Sequence, residues 1–280
     1  MTSEELKKLQ ITACKVRMGI IESTHAAACG HPGGSLSSAD VLTYLYFKEM
    51  RVNPQEPNWA DRDRFVLSKG HAAPALYAVL AERGYFPVSD LTTLRKVGSY
   101  LQGHPCRSVP RGIDMSRGSR GKGVSAAAGM ALALKCQKKD SRVYTILGDG
   151  EIQEGEVWEA LMFASHYHLD NFCVMIDNNN LQIDGWVNEV MSPYPIDEKL
   201  KAFGLEVEVI DGHDLNQIEA ALGRARQTKG KPYGIVLKTV KGKGVSYMEN
   251  VGSWHGKAPD DRQFEQAMQE LKKSLEVLEK

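Results

Sequence analysis

Two clusters of acidic and amide side chains follow apolar runs of the kind that form buried strands. The run at 143–147 ends in Gly148-Asp149-Gly150-Glu151, and the run at 172–176 ends in Asp177 and three asparagines. Asn179 stands thirty residues after Asp149, the length of one βαβ unit, so both clusters are expected at one edge of a parallel sheet. Their oxygens suit Mg²⁺ or Ca²⁺, which would in turn hold a phosphorylated ligand. Taken alone, the first cluster also fits an ordinary tight turn.

A group of histidines occupies loops flanked by glycine or proline. They are His31, His71, His104 and His255. A lone histidine is more often structural, but loops on a rigid scaffold carry function, and imidazoles shuttle protons near neutral pH. These residues are therefore candidates for a pocket that needs neutral donors and acceptors. His25, His166 and His168 fall within helical patterns and are interpreted as structural.

A basic turn follows the last predicted strand and reads Lys241-Gly242-Lys243-Gly244. It fits either a solvated turn or a contact to a diphosphate at the same sheet edge. Gly121-Lys122-Gly123 begins a predicted helix, and a helix N-terminus favours phosphate. The stripe of Trp158, Met162 and Phe163 indicates core or dimer packing rather than a cofactor site.

Alternating apolar runs and helical periodicities predict an α/β fold with a doubly wound, mostly parallel sheet in one domain spanning 1–280. Strands are predicted at 64–68, 143–147, 172–176, 207–210 and 234–239. Helices are predicted at 3–28, 36–47, 72–83, 124–135, 154–166, 196–203, 215–226 and 260–280. Between 99 and 123 a long loop rich in glycine, proline and arginine has no periodicity, which is typical of a functional segment.

The composition excludes several classes of function. Thirty-five basic and 35 acidic residues give a formal charge of zero, so nothing favours nucleic acid as a partner. No apolar run is long enough to span a membrane, and the charged N-terminus lacks a signal-peptide core. The five cysteines are odd in number and lack close pairs, as expected in a reducing cytoplasm. No Gly-x-Gly-x-x-Gly opens a helix with an acid about twenty residues on, which argues against a nicotinamide enzyme.

The run Gly148-Asp149-Gly150-Glu151, with Asn179 after it, resembles the thiamine-diphosphate-binding signature of transketolases. Further transketolase blocks follow the family's order: Gly30-His31-Pro32-Gly33, the run Asp-Arg-Asp-Arg-Phe-Val-Leu-Ser at 61–68, Gly70-His71, Gly103-His104-Pro105 and His255-Gly256. The resemblance covers nearly the whole chain but only the amino-terminal part of a full-length transketolase. It therefore implies the thiamine-diphosphate-binding fold and the N-terminal subunit of a split, two-chain transketolase.

Carried over by position, the resemblance implies thiamine diphosphate and Mg²⁺ or Ca²⁺ as cofactors. The metal ligands would be Asp149, Asn179 and the backbone carbonyl of Leu181. The implied cofactor-binding residues are Gly118, Gly150, Glu151, Asn179, Lys241 and His255. The catalytic residues surrounding the thiazolium and the ketose hydroxyls would be His31, His71, His104 and His255. Glu154 and Glu159 match glutamates that link two active sites at the family's dimer interface.

The implied reaction moves a two-carbon ketol unit from a ketose, or its phosphate, to an aldose. In the family the protein positions the cofactor, and the cofactor carries the chemistry. The glutamate that activates the aminopyrimidine lies in a domain missing here. The chain is therefore expected to act only with a separate C-terminal subunit, in a two-plus-two heterotetramer that also self-associates through this chain.

Two departures from the family pattern have consequences. Arg120 stands where an apolar residue packs on the cofactor, and an unpaired buried guanidinium is costly, so Arg120→Leu is predicted to change cofactor or substrate affinity. Asn180 replaces a common glycine, and asparagine tolerates a left-handed backbone. Two alternatives stay open: a subunit of another thiamine-diphosphate enzyme, such as a deoxyxylulose-phosphate-synthase-like one, and a regulatory subunit without turnover. The histidine set argues against a keto-acid-dehydrogenase-like subunit.

Overall fold

A parallel β-sheet lies at the centre of the structure, a computed structural model that describes residues 1–116 and 121–280. Its strands and those of a small hairpin are β1 (Arg64–Leu67), β2 (Val143–Gly148), β3 (Phe172–Asn178), β4 (Leu181–Gln182), β5 (Gly185–Trp186), β6 (Glu206–Asp211) and β7 (Tyr233–Lys238). The central sheet has the order β1-β2-β3-β7-β6, and every neighbouring pair in it is parallel. The predicted doubly wound α/β class is confirmed, with strand ends within one or two residues of the predicted ones.

Helices cover both faces of this sheet. They are α1 (Ser3–Ala26), α2 (Pro32–Leu36), α3 (Ala39–Tyr44), α4 (Ala73–Arg83), α5 (Lys122–Cys136), α6 (Gly155–His166), α7 (Val187–Met191), α8 (Ile196–Ala202), α9 (Leu215–Gln227) and α10 (Asp261–Glu279). Local chemistry sets several ends. Thr2 and Glu5 form a capping box at the start of α1, and Gly84, with φ of +93°, ends α4 in a left-handed turn.

The central strand β3 is a continuous apolar run because each of its faces packs against a hydrophobic cluster. Along β3, Cys173 and Met175 belong to one cluster, whereas Val174 and Ile176 belong to the other. All seven residues of β3 are buried. A parallel strand covered on both faces has no polar alternation, so its length and its polar ends are the signals that locate it in the sequence.

Two segments differ from the sequence prediction. The helix predicted at 36–47 is divided into α3 and a π-helical turn at Leu45–Glu49, and α2 ends where it was predicted to begin. Proline at the first position of α2 starts a helix inside the glycine-rich segment that was predicted to be a break. The β4–β5 hairpin and α7 were not predicted, because strands of two residues are too short to show a period.

The sheet brings the predicted polar clusters to one edge. β2 and β3 are paired so that Gly148 lies opposite Asp177, and Asn178 of β3 lies opposite Lys238 of β7. The residues that follow these strands therefore emerge side by side at the carboxyl ends, where open α/β sheets bind ligands. Over the described residues, the helices are too short or too polar to cross a lipid bilayer.

Candidate functional site

Two acids and two lysines are buried together where the strands end. Asp149 and Asp177 lie at the ends of β2 and β3, Lys69 follows β1, and Lys241 follows β7, and each is at most 2% exposed. Lys69 forms an ion pair with Asp177 and donates to the carbonyl of Gly34 at 2.7 Å. The formal charges of the four side chains cancel, as buried ions require.

The two acids in this group have different environments. Burial and the nearby Asp177 carboxylate raise the pKa of Asp149 to about 6. Hydrogen bonds from Asn178 and the Asn180 amide favour the charged form but do not outweigh these causes. Burial also opposes ionisation of Asp177, but Lys69 and hydroxyl donors outweigh it, and the pKa of Asp177 is lowered. Burial lowers the pKa of Lys241 to about 8, although both acids favour its charged form. Asp149 is thus the carboxylate whose charge is least compensated by the protein.

The predicted metal ligands form a set of hard oxygen atoms. The Asp149 carboxylate is fixed by the backbone N–H groups of Gly150 at 2.8 Å and Asn180 at 2.6 Å. Asn179 accepts from the Leu181 amide at 3.2 Å, while its own amide group donates to Asp177 at 3.0 Å. The Leu181 carbonyl accepts from Lys241 Nζ at 2.7 Å. Carboxylate, amide and peptide oxygens are the chemistry that Mg²⁺ and Ca²⁺ require, so these residues fit such an ion.

The backbone at Asn180 makes this arrangement possible. Its φ is +64°, the left-handed conformation predicted for this asparagine. The turn aims the Asn180 N–H at Asp149 and leads directly into Leu181. Within the two described segments, no group of three or more His, Cys, Asp or Glu side chains is placed to hold a metal ion.

A cavity of about 210 Å³ opens beside these oxygens. Its walls come from the turn after β2, the β4–β5 hairpin and the loops after β1 and β7. The lining residues are Lys69, His71, Gly148, Asp149, Gly150, Glu151, Gln153, Glu154, Asn179, Leu181, Gln182, Ile183, Lys241 and His255. The cavity therefore connects the oxygen set to two of the predicted catalytic histidines.

Three of the predicted catalytic histidines form a cluster of rings. The ring centroids of His31 and His71 are 5.3 Å apart, those of His31 and His255 are 5.6 Å apart, and those of His71 and His255 are 4.9 Å apart. His104 makes no ring contact with them within the described segments. It is close enough that its charge lowers the pKa of His31, and its carbonyl accepts from the Tyr77 hydroxyl at 3.2 Å.

Burial keeps the clustered imidazoles neutral. It is the main cause that lowers the pKa of His31 to about 4 and of His255 to about 3, followed by Arg95 for His31 and by Lys241 for His255. The pKa of His71 is lowered well below its usual value by burial and then by His255. Lys241 Nζ lies 3.0 Å from His255 Nδ1, and an ammonium can only donate, so the proton of His255 lies on Nε2. His31 Nδ1 is buried and has no hydrogen-bond partner among the described residues.

The remaining predicted residues are placed differently. The Glu151 carboxylate accepts from Ser68 Oγ at 2.5 Å and from the amides of Gly148 and Gly121, so its hydrogen bonds tie the cavity wall together. Gly150 packs against Gln182, where a Cβ would approach within 3.3 Å. Gly118 and Arg120 lie outside the described residues. Glu154 and Glu159 are exposed at the start and middle of α6. The roles assigned to these residues stay predictions.

Sequence reasoning missed several polar residues of the site. Lys69 was not assigned, because a lysine in a strand-to-helix turn normally indicates a solvated residue, and Asp177 was placed in the second polar cluster without a role of its own. The signal that could have found Lys69 is its place in Ser68-Lys69-Gly70-His71, directly after a buried strand. Gln153 and Gln182, hydrogen bonded to each other at 2.9 Å, come from segments without periodicity.

The sequence and the fold both match one family. Residues 8–276 match the family described as transketolase, thiamine diphosphate binding domain. The chain is 44% identical to the 6-deoxy-6-sulfo-D-fructose transketolase subunit SqwG of Clostridium sp. (strain MSTE9), over 97% of this chain and 98% of that protein. It is 41% identical to an apulose-4-phosphate transketolase subunit of Phocaeicola vulgatus, over 99% of this chain and 98% of that protein.

A solved structure gives the same result. The crystal structure of transketolase from Campylobacter jejuni superposes with a TM-score of 0.90 at 33% identity, covering 97% of this chain and 43% of that one. The chain thus spans less than half of that transketolase. The matched part includes the sheet edge that carries the oxygen set in this chain. The chain belongs to the transketolase family and matches its thiamine-diphosphate-binding domain.

Proposed function

We propose that this chain is the diphosphate-binding subunit of a two-chain transketolase that moves a two-carbon ketol unit from a ketose to an aldose. The observation that carries the proposal is the juxtaposition of the hard oxygen set with a cluster of neutral histidines along one cavity. A diphosphate with its metal needs the hard oxygen set, and a polyhydroxy substrate needs the neutral histidines. Two relatives that match this chain over nearly the full length of both proteins are named as transketolase subunits.

The oxygen set and Lys241 would hold the cofactor. Asp149, Asn179 and the Leu181 carbonyl would bind Mg²⁺ or Ca²⁺, and Lys241 would pair with a diphosphate oxygen. When bound, thiamine diphosphate supplies the nucleophilic carbon that attacks the ketose carbonyl. The turn at Gly150 brings backbone close to the cavity without a side chain in the way, which is what a diphosphate needs for close approach.

The clustered histidines would bind and orient the sugar. Because their pKa values are low, they are neutral at pH 7, and each ring offers one donor and one acceptor. His255 presents its Nε2–H, since Lys241 occupies its Nδ1. His31 has a buried Nδ1 without a protein partner among the described residues, and a substrate hydroxyl would satisfy it. Neutral rings also accept a proton from a hydroxyl more readily than charged ones.

A second chain would complete the enzyme. Full-length transketolases extend well beyond the part matched here, as the 43% coverage of the Campylobacter jejuni enzyme shows for that protein. We infer that a partner subunit carries the remaining domains and that two copies of each chain assemble. The chain alone is therefore expected to be inactive.

The names of the two relatives suggest a substrate class. One name contains a sulfo group and the other a phosphate. We propose a ketose with a terminal acidic group as donor. Comparing 6-deoxy-6-sulfo-D-fructose, D-fructose 6-phosphate and D-fructose in the assembled enzyme tests this idea: either acidic ketose should be preferred over D-fructose by at least about tenfold in kcat/KM, and equal values would refute it.

The central experiment combines the purified chain with the product of a neighbouring reading frame that encodes the missing domains. Calorimetry would measure the binding of thiamine diphosphate with Mg²⁺, and a coupled assay would measure ketol transfer. Binding and transfer in the mixture, with neither component active alone, are the expected results. Tight binding without transfer to any aldose would instead support the regulatory role, and no binding would exclude both functions.

A further inference from the structure

A buried network of three polar side chains lies behind the loop that carries Lys241. Arg17 comes from α1, Asp40 from the first turn of α3, and His213 from the turn between β6 and α9. Arg17 Nη2 lies 2.5 Å from Asp40 Oδ2, and His213 Nδ1 lies 2.7 Å from the same oxygen. The side chains of Arg17 and Asp40 are each 10% exposed. This Arg17–Asp40–His213 network joins three elements that are distant in sequence.

The network acts on the backbone on both sides of Lys241. The amide of Val240 donates to His213 Nε2 at 2.9 Å, and Arg17 Nε donates to the carbonyl of Lys243 at 3.2 Å. Because a backbone amide can only donate, Nε2 of His213 must accept, and its proton must lie on Nδ1, facing Asp40. The carboxylate thus fixes the tautomer that can hold Val240.

Lys241 needs this support because its side chain reaches across the site. Its ammonium group contacts the Leu181 carbonyl at 2.7 Å and His255 Nδ1 at 3.0 Å. Two backbone hydrogen bonds also hold the loop, from the Gly242 amide to the Gly33 carbonyl at 3.0 Å and from the Asn250 amide to the Lys241 carbonyl at 2.9 Å. The network adds side-chain hydrogen bonds at Val240, directly before Lys241, and at Lys243, two residues after it.

Stability alone is a weak reason for such a network. A buried ion pair is often no more stabilising than apolar residues of the same volume, because desolvation offsets the attraction. Hydrogen bonds from a second layer of residues, by contrast, regularly set the orientation of groups that bind metals and ligands. The hydrogen bonds to Val240 and Lys243 lie on either side of Lys241, as a role in orienting that lysine requires.

We propose that Arg17, Asp40 and His213 are positioning residues that fix Lys241 for the diphosphate of the cofactor. The proposal rests on the proposed function, since the diphosphate is the ligand it invokes. His213 is the residue best suited to a test. Glutamine at this position keeps one donor and one acceptor, whereas leucine keeps the bulk and removes both.

The test uses the complex of this chain with its partner subunit. His213→Leu, His213→Gln and the control Leu222→Ala would be compared by calorimetric titration with thiamine diphosphate at fixed Mg²⁺, by kcat at saturating cofactor, and by thermal unfolding without cofactor. Leu222 is buried in α9, the helix that follows His213. His213→Leu should raise the Kd of thiamine diphosphate by about tenfold and leave kcat nearly unchanged, and His213→Gln should stay within about threefold of the wild type.

The control separates positioning from stability. Leu222→Ala should lower the unfolding temperature without changing the Kd. If His213→Leu lowers the unfolding temperature but keeps the wild-type Kd, or if glutamine is no better than leucine, the network is merely structural and the proposal is overturned. Should the leucine variant not fold, His213→Asn replaces it, because asparagine is too short to reach both partners and is expected to raise the Kd. A wild-type complex that does not bind thiamine diphosphate would refute the proposed function instead.

Discussion

At the scale of single residues, burial sets the protonation states of the site. His31, His71 and His255 are packed ring against ring, where a charged imidazole would lose its hydration and face Lys241 or another ring. Their low pKa values follow from burial and from the positive charges nearby. A neutral cluster suits hydroxyl groups, because a hydroxyl both donates and accepts hydrogen bonds and each neutral ring offers one donor and one acceptor.

Removing the imidazole of His71 is expected to impair turnover and spare cofactor binding. His71→Gln in the assembled enzyme should lower kcat by about 100-fold, the usual contribution of a general acid or base, with the Kd of thiamine diphosphate unchanged. His166→Gln, on the exposed end of α6, is the control and should change neither value. Wild-type kcat in the His71 variant would show that the cluster has no part in the reaction.

At the scale of elements, the loop after β7 contains a glycine that no other residue can replace without a shift of the backbone. Gly242 has a φ of +80°, and a Cβ there would lie 2.3 Å from the Met248 carbonyl oxygen. Gly230 has a similar φ of +76°, but nothing lies within 4 Å of its Cβ position. The two glycines therefore have a similar φ, but only Gly242 lacks room for a Cβ.

Alanine at these two glycines should have unequal costs. Gly230→Ala should cost about 1 kcal/mol from backbone strain alone, and Gly242→Ala at least about 3 kcal/mol because the loop must also shift. Urea unfolding of both variants measures these values. Equal costs at the two positions would mean that the loop adapts freely and does not hold Lys241 in place.

The ion pair between α1 and α3 predicts a pH dependence of stability. Burial raises the pKa of Asp40, but Arg17 and the hydrogen bond from His213 outweigh it, and the pKa falls from 3.8 to about 2. Since the folded value lies below the unfolded one, Asp40 stabilises the protein above about pH 4, and this contribution is lost as the pH falls from about 4 to about 2. The direction of the effect is loss of stability in acid.

Asp40→Asn should remove this dependence. Between about pH 5 and about pH 2.5 the unfolding free energy of the wild type should fall by about 1.5 kcal/mol more than that of the variant. Asp184→Asn, at an exposed position in the turn between β4 and β5, is the control and should parallel the wild type. If the unfolding free energies of all three proteins depend on pH in the same way, Asp40 is not the source of the acid-sensitive stability.

The sequence located the parts of the site whose signals are local. Asp149 and Asn179 follow apolar strands at the spacing of one βαβ unit, so the parallel sheet had to bring them together. Lys69 was missed because its burial depends on Asp177, a partner 108 residues away. The β4–β5 hairpin was missed as well, although it lines the cavity, since its short strands are stabilised by packing rather than by a pattern. His104 was grouped with the other loop histidines, but its distance from their rings depends on the path of a long loop.

At the scale of the whole molecule, one surface bears on assembly. Glu154 and Glu159 are exposed along α6, together with Met162, a residue that is 59% exposed. An exposed methionine beside two glutamates on a helix is compatible with the self-association inferred for this chain, because interfaces combine apolar and charged contacts.

Charge reversal on this surface tests the two-plus-two assembly. Light scattering of the complex with its partner should give the mass of two copies of each chain, and Glu159→Arg should shift it towards one copy of each. Glu265→Arg, exposed on α10, serves as the control. An unchanged mass for the Glu159 variant would place the interface elsewhere.

The central claim is that this chain holds the diphosphate of thiamine diphosphate through a metal bound by Asp149, Asn179 and Leu181. The most direct measurement is a calorimetric titration of thiamine diphosphate and Mg²⁺ into the two-chain complex, with the wild type and with Asp149→Asn. The substitution removes a buried carboxylate that lies beside Asp177, so the variant should stay folded. We expect saturable, Mg²⁺-dependent binding by the wild type and a Kd at least about 100-fold higher for the variant. Equal affinity in the two proteins would contradict the claim.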